Sequence, residues 1–156
     1  MNFFFLDRDM DKCVQYHCDT HVVKMILESA QILSSVHHVL GTVNSACYKL
    51  THKNHPCNVW ARASLENYEY LLEFTYKLGD EYTHRYGKVH KSIREVVPNL
   101  PVPTGLLPTG FTEPAKCVHD DFKHIEDTVE AYRQFYIRDK GHFCVWTKRD
   151  IPWWFG

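Results

Sequence analysis

A chain of 156 residues, 44% hydrophobic and 24% charged, is long enough to bury its own core, and its composition excludes a disordered or fibrous protein. A formal charge of −1 excludes a global attraction to nucleic acid, so any such contact must come from local patches. No apolar run reaches membrane-spanning length, and the start of the chain, with Asp7, Arg8 and Asp9 directly after a short apolar run, does not read as a secretory leader.

Residues 2–6 form that apolar run and are expected to be an extended arm or short strand buried against the core. Asp11 is the expected N-cap of a first helix that runs to about Leu40 and stops at Gly41. A polar linker follows to His55, and Pro56 suits the first turn of a second helix. Val59, Trp60, Ala63, Leu65, Tyr68, Leu71, Leu72, Phe74, Tyr76 and Leu78 recur at helical period on it. The pattern continues past Gly79 to Tyr86 and ends at Gly87, and residues 88–97 read as a short basic helix. Residues 98–114 hold five of the seven prolines, which predicts an irregular functional or covering loop. A third helix is expected from about Asp120 to Lys140, ended by Gly141 and followed by an aromatic tail. The expected architecture is mainly α: one compact domain over residues 1–156, a bundle of about three main helices with a long Pro-rich loop.

Within the first predicted helix, His17, His21, Lys24, Glu28, Gln31, Ser35 and His38 follow one another at spacings of four and three. They therefore share one helix face, while the other faces are apolar. A helix apolar around most of its circumference is buried, so this polar row is expected to line a cleft. Glu28 lies one turn from Lys24 and Gln31, and Lys24 one turn from His21. A carboxylate beside an ammonium in a half-dry site suits acid–base work or stabilisation of a cation. Lys24 is alternatively an amine nucleophile, and a plain Lys24–Glu28 ion pair is the structural alternative.

Other residues offer weaker signals. His17 and His21 with His38, His52 or His55 would supply a metal-dependent hydrolase, but there is no H-E-x-x-H motif, and neither a metal nor a cofactor is expected. The six cysteines contain no C-x-x-C pair and read as reduced thiols of a cytoplasmic protein, mostly small core fillers. His52–Pro56 opens the second helix with donors suited to an anion. Two basic clusters stand out: His84, Arg85, Lys88, His90, Lys91 and Arg94, and then Arg133, Arg138, Lys140, Lys148 and Arg149 among aromatics. Cations beside stacking rings suit an extrahelical nucleotide, so a non-catalytic nucleotide-binding module is a further alternative.

The segment Asp19-Thr20-His21-Val22, with Glu28 six residues beyond, resembles the first helix of the pyrimidine-dimer DNA glycosylases of the phage endonuclease V type. The short apolar start, the long second helix and the aromatic C-terminus are similar in outline. The resemblance implies a DNA glycosylase with AP-lyase activity and DNA as partner, with no membrane association. It places Glu28 at the essential carboxylate and His21 at a substrate contact. In that family the nucleophile is the α-amino group of the chain start, which attacks deoxyribose C1′ and forms an imine. Residue 2 is Asn, bulkier than the family's small residue, which assigns the amine to Met1. Leu27 and Gln31 stand where the family carries arginines. The expected catalytic set is Glu28 with Met1 or Lys24, and the expected substrate contacts are His17, His21, Gln31, His55, Arg62 and Arg85.

Overall fold

The structure, a computed structural model, describes residues 2–156, which form helices, turns and loops and no strand. Six α-helices occur in chain order: α1 (Met10–Tyr16), α2 (Asp19–Leu40), α3 (Pro56–Ala61), α4 (Leu65–Tyr86), α5 (Lys91–Glu95) and α6 (Thr128–Phe135). None is long and apolar enough to cross a membrane. The two 22-residue helices, α2 and α4, carry the fold. They run antiparallel. Asp19 at the start of α2 meets Arg85 at the end of α4 at 3.0 Å, while His37 near the other end meets the Tyr68 hydroxyl at 2.7 Å.

The predicted first helix is two helices. Asp9, not Asp11, caps α1 by accepting from the amides of Asp11 and Lys12. The chain then turns extended at His17 (ψ 130°) and Cys18 (ψ 164°) before α2 begins. A break inside an apolar helical pattern strands backbone donors, and each must find a partner. The Cys18 amide donates to the Tyr136 hydroxyl (2.8 Å), and His17 turns inward to donate from Nδ1 to the Cys13 carbonyl (2.7 Å). His17 is thereby removed from the polar row on α2, to which the spacing had assigned it.

The expected second helix also divides. Pro56 starts α3 as predicted, but Ser64 opens α4 by accepting from the Asn67 amide (3.1 Å). The helix does run through Gly79 to Tyr86, and Gly87 closes it in the left-handed region (φ 70°), as Gly41 closes α2 (φ 74°). Gly79 is required by packing: a Cβ there would stand 2.7 Å from Ile93 Cγ1 on α5. The third helix is shorter than expected, with Asp127 capping α6 and a π turn at Tyr136–Lys140.

Phe3, Phe4, Phe5 and Leu6 of the extended arm are all buried. Each contributes on the order of 2 kcal/mol of burial, and Phe3 packs against Trp60 and Phe74 while Phe4 packs against Tyr132 and Tyr136. The Pro-rich segment is a covering loop. Buried Asn67 donates to Thr112 Oγ1 and accepts from its amide, and Trp60 Nε1 donates to the Thr112 carbonyl.

One ionic network joins the ends of α1, α2, α4 and the tail. The Arg85 guanidinium, fully buried, donates to Glu81 (2.7 Å), Asp19 (3.0 Å) and the Gln15 carbonyl (3.0 Å). Arg149 clasps Glu81 from the tail, and Thr147 donates to Asp19 through its amide and hydroxyl. Burial alone would raise the Glu81 carboxyl, but Arg149 and Arg85 hold it below the usual range. Arg85→Ala strands two carboxylates, and a loss of about 3–5 kcal/mol is expected in urea unfolding. Arg138→Ala, removing a surface-exposed pair with Asp121, is expected to leave the midpoint nearly unchanged.

Candidate active site

The α2 polar row and the arm meet at a recess of about 190 Å³ lined by Asn2, Phe4, His21, Lys24, Met25, Glu28, Phe135 and Lys140. This is smaller than sites that enclose a drug-sized ligand, so it suits a single sugar-sized fragment rather than an engulfed dinucleotide. A larger cleft of about 670 Å³ lies on the tail between Gln15 and Trp153. Its charges are Lys148, Arg149 and Asp150, of which Arg149 is spent on Glu81. The smaller recess brings together an amine-bearing side chain, a carboxylate and an imidazole on one helix face beside Asn2.

Each element of the recess has a local cause. His21, Lys24 and Glu28 come from successive turns of α2, whose start is fixed by the Cys18–Tyr136 hydrogen bond. The His21 ring stacks on Phe4 (4.4 Å between centroids, 22° between planes) and its Nδ1 lies 2.8 Å from the Tyr136 hydroxyl. It is 4% exposed, so it presents an edge to the recess without freedom to swing. Glu28 is half-buried, and its charge reaches His55, whose pKa burial lowers and Glu28 pulls back up. Lys24 stands exposed at the rim of the recess, one helical turn before Glu28. Lys140 completes the opposite rim, its ammonium 5.4 Å from the centre of the Phe135 ring. Met1 lies outside the described residues; its neighbour Asn2 lines the recess with Glu28.

The remaining expected contacts are elsewhere. His17 is fully buried, edged by Phe4 and Phe74. Arg85 is consumed by the ionic network, and burial leaves neither it nor His17 a path to a substrate. Arg62 donates to the Lys53 carbonyl (2.7 Å), bracing the loop before α3, and His55 caps that helix by accepting from the Cys57 amide. Gln31 is half-buried one turn beyond Glu28, outside the recess lining. No third donor joins His17 and His21 among the described residues, so they form no metal cluster. Sequence spacing missed Asn2, Phe4 and Phe135 as lining residues, because nothing local marks an arm or a later helix as a wall of this recess.

Set against known proteins, residues 1–95 match the family model described as pyrimidine dimer DNA glycosylase. The matched span carries the arm, α1 to α5 and every recess residue except Phe135 and Lys140. No curated protein and no solved structure matches the chain.

The buried His17 behind the recess makes stability pH-dependent. Burial pushes its pKa down to about 3 from 6.5, so the folded protein keeps it neutral while the unfolded chain takes up a proton. Its contribution is complete above pH 6.5 and is lost as pH falls toward 3, at about 1.4 kcal/mol per pH unit. Burial lowers His37, His55 and His90 in the same direction. Urea-unfolding free energies between pH 6 and pH 4 are expected to fall, and His17→Gln to reduce that slope by about one proton's worth.

Proposed function

Because the chain belongs to the pyrimidine dimer DNA glycosylase family, we propose that the recess between arm and α2 releases the damaged base by amine attack on the sugar and then acts as an AP lyase. DNA is the substrate. The juxtaposition that supports this reading is Asn2, Lys24, Glu28 and His21 around one sugar-sized space.

In the proposed reaction the α-amine of Met1 attacks deoxyribose C1′. The C1′–N glycosidic bond breaks, and the base leaves with its electron pair and gains a proton. Ring opening converts the C1′ adduct to an iminium ion. Loss of a C2′ proton then expels the 3′-phosphate with the C3′–O electron pair, cutting the strand. Glu28 stabilises the cationic sugar and the iminium, an electrostatic role that is worth most where water is thinned. His21, locked by Phe4 and Tyr136, orients the sugar, and Lys24 and Lys140 meet the flanking phosphates from the rims. Gln31, His55 and Arg62 belong to the periphery of this surface. Lys24 is the second nucleophile to consider, although its exposure provides none of the desolvation that activates a buried lysine.

Borohydride trapping on duplex DNA carrying a thymine dimer or an abasic site tests the scheme. A covalent adduct is expected, mapped by peptide mass spectrometry to the first residue and retained in Lys24→Ala. Glu28→Gln is expected to lower single-turnover cleavage by about 10²-fold or more. An adduct on Lys24 would transfer the nucleophile's role to that side chain. No adduct, with strands left intact, would defeat the lyase step.

A further inference from the structure

We propose that His55, Cys57 and Cys117 form a binding site for a single Zn²⁺ ion that pins the N-terminal arm behind the recess. One ligand atom from each lies within 4.8 Å of the others. The two sulfurs are 3.5 Å apart. Two Zn–S bonds of about 2.3 Å at a tetrahedral angle put their sulfurs about 3.8 Å apart, so a shift of a few tenths of an ångström would seat the ion. Two thiolates and an imidazole are the soft and borderline donors that favour zinc over magnesium or calcium. The Oδ1 of Asn2 lies 3.4 Å from Cys57 Sγ and would fill the fourth position.

The backbone holding these ligands is already fixed. His55 and Cys57 are the N-cap and second residue of α3. Cys117 is held by its amide, which donates to the Tyr132 hydroxyl (3.0 Å), while that hydroxyl donates to the Ala115 carbonyl (2.6 Å). The Asn2 side-chain amide donates to the Cys117 carbonyl (3.0 Å), tying the arm to the same loop. Cys57 is buried, whereas His55 and Cys117 are half-exposed, which gives a dry interior with an entry path from solvent. The ion would join three segments distant in sequence: the arm, the start of α3 and the chain after the Pro-rich loop. Its role there is to hold Asn2 at the recess, and it takes no part in the bond-breaking steps.

The whole chain, reduced and carrying no histidine tag, is titrated with Co²⁺. One equivalent is expected to give a thiolate-to-metal charge-transfer band with intense tetrahedral d–d bands, displaced by one equivalent of Zn²⁺. Cys117→Ala, at a half-exposed position that folding tolerates, and Cys57→Ser should each weaken binding by at least the roughly 10–100-fold that changes beyond the ligand shell already cost. Cys47→Ser, outside the cluster, should leave it unchanged. Zn²⁺ should also raise the thermal midpoint of the parent chain and not that of Cys117→Ala. Absence of the band in protein whose thiols titrate as free, a disulfide between Cys57 and Cys117 that fails to give way to metal after reduction, or a band that survives loss of both cysteines would overturn the proposal. None of these readouts depends on glycosylase activity.

Discussion

The buried Arg85 guanidinium sets the geometry on which the rest of the molecule depends. A charge with no exposed surface is tolerated only when its donors are all answered, and its three answers come from α4 itself, the start of α2 and the end of α1. That requirement ties the end of α4 to the start of α2 and fixes where α2 begins. Every residue on α2 is then placed by helical count, so His21, Lys24 and Glu28 face the arm because Asp19 must face Arg85. The tail is held by the same device, since Thr147 and Arg149 complete the coordination of Asp19 and Glu81.

A second constraint comes from the arm. Four consecutive apolar side chains without alternation make sense only for a segment enclosed on all sides, and Phe3 to Leu6 are enclosed by α4, α6 and the residues around α1. The tight packing of Phe4 against His21 serves two purposes. It buries a ring, and it holds the arm so that Asn2 reaches both the recess and the Cys57–Cys117 seam. Chemistry that depends on an amine at the start of a chain needs such anchoring, because an untethered terminus would lose its alignment to conformational entropy.

Features written in local residue types were legible in the sequence. Gly41 and Gly87 end helices in the left-handed region, Pro56 opens one, and the apolar run at residues 2–6 reads as a buried arm. The interruptions were not legible, because their compensations lie far away. The turn at His17 and Cys18 is satisfied by Tyr136, 118 positions from Cys18, and no periodicity along α1 and α2 signals it. The site divides along the same line. His21, Lys24 and Glu28 follow from spacing on one helix, whereas Asn2, Phe135 and Lys140 arrive by tertiary packing. Arg85 read as a substrate contact in a basic cluster for the same reason: its partners Asp19 and the Gln15 carbonyl belong to other helices.

The near-neutral charge of the chain takes on meaning once its cations are traced. Arg8, Arg85, Arg94, Arg133, Arg138 and Arg149 are all engaged with carboxylates, and Arg62 with a carbonyl. Arginine, with its planar fork, is used here to hold the fold together, and the basic clusters of the sequence are largely neutralised from within. At the recess the positive side chains are Lys24 and Lys140, point charges without bidentate geometry. A polyanionic strand engaged as proposed would meet two ammonium groups, Lys24 and Lys140, around the sugar-sized space. In the proposed reaction, discrimination would then come from the shape set by Phe4, His21 and Phe135 and from what Glu28 does to the charge that develops inside.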